Sequence, residues 1–92
     1  MSYTIHFTAT AYQDINEAAD YPDHVLLNPD ATENLLDKLD EKIQHLKEFP
    51  QAHTVVDDPF LKAQNIRFVV VNNYLAFYII DESLHIVHII RF

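Results

Sequence analysis

Ninety-two residues with a 49% hydrophobic fraction fit one folded domain spanning residues 1–92 and exclude a disordered acidic chain, while the absence of cysteine excludes disulfides and thiolate metal sites. Fourteen Asp and Glu against six Lys and Arg give a net charge of −8, which argues against a nucleic-acid or anionic-membrane binder and favours a basic partner. Glycine is absent, so neither a phosphate-cradling loop nor a dinucleotide fingerprint is present.

Tyr3-Thr4-Ile5-His6-Phe7-Thr8 alternates apolar and polar residues and predicts an opening strand with Tyr3, Ile5 and Phe7 on its buried face. Thr8 or Thr10 then caps a helix, Thr10 with Gln13 fitting a capping box, and Ile15, Ala18 and Ala19 supply its apolar stripe. Pro22 breaks this helix, and Asp23–Leu27 reads as a short continuation. Asn28-Pro29 starts a second helix, a capping side chain followed by proline at the first helical position. Leu35, Leu36, Leu39, Ile43 and Leu46 recur at helical spacing until Phe49-Pro50 ends the run. Glu33, Asp37 and Glu41 form an acidic ridge on the other side, solvated or a docking stripe for a basic segment. Gln51–Gln64 reads as a loop pinned to the body by Val55, Val56, Phe60 and Leu61.

Ile66–Phe92 is a three-stranded meander, its segments separated by Asn72-Asn73 and by Asp81-Glu82-Ser83-Leu84. A type I′ turn at Asn72-Asn73 pairs Val71 with Tyr74, Val69 with Ala76 and Arg67 with Tyr78. A second turn at Glu82-Ser83 sets Ile80 opposite His85 and Tyr74 opposite Arg91. Directly opposed residues share a face. One face, with Ile66, Phe68, Val70, Leu75, Phe77, Ile79, Ile86, His88 and Ile90, is predicted to be the core beneath the helices. The other carries Arg67, Tyr74, Tyr78 and Arg91 among apolar residues. Unless the Gln51–Gln64 loop covers it, it is an interface for a protein partner or for self-association as a homodimer, through Val69, Val71, Tyr74, Ile80, Val87 and Ile89. The expected fold is α+β, ordered β-α-α-β-β-β, a helical hairpin on one face of an antiparallel sheet.

Several of these features together resemble the RelE/ParE superfamily, the toxins of type II toxin–antitoxin modules and plasmid stabilisation systems. They are the opening Tyr3–Thr8 strand, the Asn28-Pro29 step, Leu46-Lys47-Glu48-Phe49-Pro50, and Ile66-Arg67 followed by Asn73–Tyr78. The resemblance spans nearly the whole chain. It implies a RelE-like fold and a growth-inhibiting toxin that cleaves mRNA on the ribosome or poisons DNA gyrase. It also implies a cognate antitoxin whose C-terminal segment wraps the toxin. Arg67 and Arg91 match arginines common in the family. The nuclease branch draws catalytic groups from a Gly- and Arg-containing stretch beyond the last strand. This sequence ends at Phe92 with Lys62 as the one cation between Gln51 and Gln64, so the alternative is a shortened, non-catalytic homologue that only binds. Family glycines are replaced by Gln64-Asn65 and Asn72-Asn73.

Cleavage by a ribose 2′-hydroxyl needs a proton acceptor, a donor for the leaving oxygen and positive charge over the phosphate. Arg67, Arg91 and Lys62 are the candidates for charge, and Tyr78 or His85 for proton movement. No metal site and no cofactor are expected: His85 and His88 fall on opposite faces, and His6, His24, His45 and His53 are scattered. The longest apolar run, Tyr74–Ile80, is far short of the ~20 residues that span a bilayer, and no signal peptide opens the chain, so a cytoplasmic protein without membrane partners is expected.

Overall fold

A computed structural model of the chain describes residues 2–19 and 29–92, the side chains of 29–32 excepted. The Pro22 break, the Asp23–Leu27 continuation, the Asn28 cap and His24 lie outside the described residues. In chain order the elements are β1 (Thr4–Phe7), α1 (Ala9–Ala19), α2 (Pro29–Glu48), a 3-10 turn (Pro50–Ala52), α3 (Pro59–Ala63), β2 (Arg67–Val71), β3 (Tyr74–Asp81) and β4 (Ile86–Arg91). The sheet runs β1-β4-β3-β2. The α+β architecture holds, with one correction: β1 pairs parallel to β4, so the sheet is mixed rather than wholly antiparallel.

The Thr8 hydroxyl accepts the Ala11 N–H at 3.1 Å and caps α1. Thr10 sits inside the helix, so the Thr10–Gln13 box is not formed; Gln13 bonds Glu17 instead, at 3.2 Å. Ala11, Ile15 and Ala18 face the core. Leu35, Leu39, Ile43 and Leu46 of α2 are buried, each such side chain contributing about 1.5–3 kcal/mol, but Leu36 lies off the stripe and is exposed. The acidic ridge Glu33, Asp37 and Glu41 faces solvent, with Lys38 3.4 Å from Glu41. The segment between Gln51 and Gln64 is not a plain loop. Asp58 caps α3 by accepting the Phe60 and Leu61 N–H groups, and Phe60, expected to pin the segment, is exposed. Residues 54–56 run along the free edge of β2: Val55 bridges to Arg67, the Val56 N–H reaches the Ile66 carbonyl at 2.8 Å and the Phe68 N–H the Thr54 carbonyl at 3.1 Å.

The first hairpin has the expected register, Arg67 with Tyr78, Val69 with Ala76 and Val71 with Tyr74. Its turn is not type I′, which needs positive φ at both central residues; only Asn72 has it, at 53°. The Asn72 amide also ties the turn to α2 by donating to Asn34 Oδ1 at 3.0 Å. The second connection is longer than expected and moves the register by two. The Asp81 carboxylate accepts the Ser83 hydroxyl (2.9 Å) and the Leu84 N–H (3.0 Å), and Ile80 pairs with Val87 instead of His85. A bulge between the Phe77 and Tyr78 pairings then sets Arg91 opposite Phe77 instead of Tyr74.

The residues group into faces as expected, but the helices cover the opposite face. Val69, Val71, Ala76, Tyr78, Val87 and Ile89 are buried with Ala11, Ile15, Ala18, Leu35, Leu39, Ile43 and Leu46. Of the residues expected in the core, Ile66 is buried, but Val70 and Leu75 are 52% and 41% exposed, and Phe68, Phe77, Ile79, Ile86, His88 and Ile90 are half-buried. The physical reason lies in size and in polar margins. Small and β-branched residues on the Val69 face give the helices a close seat, and the polar tips of Tyr78 and Arg67 find carbonyls where the Pro50 turn crosses the sheet. The face with Val70 and Leu75 is left open.

Candidate functional site

Proline at position 50 ends α2 and turns the chain across the start of β2. The turn's carbonyls meet two polar side chains from the sheet. The Tyr78 hydroxyl donates to the Pro50 carbonyl at 2.6 Å, and Arg67 Nη1 donates to the carbonyls of His53 at 2.6 Å and Gln51 at 3.4 Å. The Gln51 amide continues outward, donating to the Tyr3 hydroxyl and to Glu82 Oε1, both at 2.8 Å, while Tyr3 donates to Glu82 Oε2 and stacks on the His85 ring. These donors, Tyr3 first, hold the Glu82 carboxyl below its ordinary range. The network joins β1, the 3-10 turn, β2 and the β3–β4 connection.

Beside it, His53 and His45 face each other at 3.1 Å, Nε2 to Nδ1, over an open cleft of about 340 Å³ lined also by Glu41 and Lys42. Partial burial, then the positive charges of His45, Lys42 and Arg67, push the His53 imidazole below its ordinary pKa. The cleft thus brings two imidazoles within hydrogen-bonding distance of each other, between the ammonium of Lys42 and the carboxylate of Glu41. Sequence reading left these histidines scattered. Lys42 and His45 one turn apart on a helix, followed by a proline turn and His53, were the available signal.

Of the five residues weighed for cleavage, Arg67 and Tyr78 lie side by side on the Pro50–His53 turn, but Lys62, Arg91 and His85 are not joined to them directly. Tyr78 is fully buried, and burial pushes its phenol up to about 12 although Arg67 pulls the other way, so it does not move protons at neutral pH. Arg67 is held by loop carbonyls, and Lys62 is exposed on α3. Arg91 lies beyond β3 from Arg67 and pairs with Asp14 of α1 at 2.8 Å. Burial raises the Asp14 pKa, but the Phe92 N–H and Arg91 outweigh it, and the net direction is down. Phe92 stacks on Tyr74 at 5.1 Å beside this pair. His85, in the left-handed region at φ 55°, is committed to the Tyr3 stack.

Of the residues expected to bind a partner, Val69, Val71, Val87 and Ile89 are filled in by the protein's own helices, and Tyr74 and Ile80 are half-buried at the margin of that core. The open apolar surface is the reverse face of the sheet. There Val70 pairs with Leu75 and Phe68 with Phe77, the two rings 6.4 Å apart.

A family model described as the ParE toxin of the type II toxin–antitoxin system parDE matches residues 5–92. No curated protein sequence matches significantly. Among solved structures the fold is similar to a chain of the chromosomal ParDE system from P. aeruginosa, with a TM-score of 0.71, 15% identity, and 98% of this chain and 92% of that one covered.

Proposed function

Because the chain belongs to the ParE toxin family of type II toxin–antitoxin systems, we propose that it is the toxin of such a pair and inhibits growth by gripping a protein target, DNA gyrase, rather than by cutting mRNA. One observation carries this choice: Tyr78, Arg67 and Arg91 are committed to Pro50, to loop carbonyls and to Asp14, leaving no assembled cleavage site among them. The cognate antitoxin covers the open sheet face with an apolar segment, and basic residues in that segment are drawn by the −8 charge. Expression in a bacterial host without antitoxin is expected to arrest growth, and the purified protein to block supercoiling by gyrase. Ribosome-dependent mRNA cuts in arrested cells, with supercoiling untouched, would overturn this reading. Folded protein without arrest would leave the binding-only homologue standing.

One observation favours a second reading. The His45–His53 cleft, with Lys42 on its rim, places two imidazoles and an ammonium together, groups of the kind that cleavage requires. If mRNA is cut, His53→Gln should abolish it and Tyr78→Phe should not.

A further inference from the structure

Among the described residues, two histidine pairs stand nitrogen to nitrogen, with different charged neighbours. His6 on β1 and His88 on β4 are directly paired across the parallel strands, Nδ1 to Nδ1 at 2.9 Å, with ring planes 84° apart. His45 and His53 are similarly close, at 3.1 Å. Around His53 the charges that lower its pKa are Lys42 and Arg67, which disfavour a dication, although the Glu41 carboxylate also lines that cleft. Around His88 they differ. Its β3 partner is Ile79, and Asp81 lies one diagonal step away, close enough that its carboxylate feels the imidazole. The positions two residues along β1 and β4 on the same face are Thr4, Ile86 and Ile90, all neutral.

Distance also selects among metals. Imidazole nitrogens bind late first-row metals at about 2.0–2.1 Å, so an ion equidistant from both Nδ1 atoms at their 2.9 Å separation subtends about 90°. That is the cis angle of square-planar or octahedral coordination, preferred by Cu(II) and Ni(II). Tetrahedral zinc would need the nitrogens about 0.4 Å further apart. His6 is exposed and His88 half-exposed, so both rings have room to turn their Nδ1 lone pairs from each other toward one ion.

We propose that His6 and His88 form a two-imidazole chelating site for a divalent late first-row metal, Ni²⁺ or Cu²⁺, which clips the first strand of the sheet to the last. Among the described residues no group of three or more His, Cys, Asp or Glu is placed to hold an ion, so water completes the coordination. Such a site is labile, not structural, and acid empties it because both imidazoles must be neutral to bind. Metal bound only by the folded chain raises its stability by mass action.

The test uses untagged protein titrated with NiCl₂ at neutral pH, read by calorimetry and by thermal melting. Binding of one ion per chain and a Ni²⁺-dependent rise in Tm are expected. His6→Gln or His88→Gln should weaken binding by at least about tenfold and remove the Tm rise, while His45→Gln/His53→Gln leaves both in place. Circular dichroism without metal checks that the variants fold, and His6→Gln, at an exposed edge-strand position, carries the test if His88→Gln does not. No saturable binding by the wild type would overturn the proposal. So would binding that survives both β-strand variants, or that disappears with the His45 and His53 change.

Discussion

Tyr78 is the residue whose meaning changes most between sequence and fold. Read in the strand pattern it is a proton carrier on an open face; in the fold it is a fully buried strut whose hydroxyl anchors the Pro50 turn. Tyr78→Phe should therefore lower unfolding free energy by about 1–3 kcal/mol, the cost of an unmade buried hydrogen bond, while leaving growth arrest intact. Urea denaturation and the arrest assay check the two halves separately. His53 carries a pH prediction. Its folded pKa is depressed, so the unfolded chain takes up a proton that the folded chain refuses. By linkage, stability is lost as pH falls from the ordinary imidazole range near about 6.5 toward the lower folded value. His53→Gln should flatten that part of the stability–pH curve. Three left-handed backbone positions, Asn65, Asn72 and His85, do the work of the missing glycines. Two were readable, because Asn tolerates positive φ; His85 was not, because the length of its loop is set by the Asp81 carboxylate accepting from Ser83 and Leu84.

At the scale of elements, β1, the long helix from Pro29 and the first hairpin register could be read from local pattern, since each depends on residues close in sequence. The side of the sheet that receives the helices could not. Alternation sorts residues into two sets, but which set is buried depends on the distant Pro50 turn supplying acceptors for Tyr78 and Arg67. The histidine on the supposed core face, His88, was the sign that the choice was inverted. The same long-range dependence hid the candidate site, because Lys42, His45 and His53 meet only after that turn folds back on α2. Adjacent valines test the assignment. Val71 is fully buried and Val70 is 52% exposed. Val71→Asp should cost about 4 kcal/mol or more, as an unpaired buried charge does. Val70→Asp should change stability by less than about 1 kcal/mol. Thermal melts that rank the two the other way would return the core to the opposite face.

At the scale of the whole molecule, charge and topology act separately. The net −8 is spread over surfaces such as the Glu33–Asp37–Glu41 ridge, which borders the cleft where Lys42 stands beside Glu41. No described helix is long and apolar enough to cross a membrane. The topology brings the beginning and end of the sequence together, with β1 parallel to β4 at the middle of a long separation, His6 beside His88. During translation, β1 and both long helices are made well before the strand that β1 must pair with. Parallel pairing across such a separation is slow to form and cannot be anticipated by local contacts. The sheet is completed only after β4 has left the ribosome, so until then β1 has no partner strand. The order of synthesis thereby sets a delay between making β1 and seating it in the sheet.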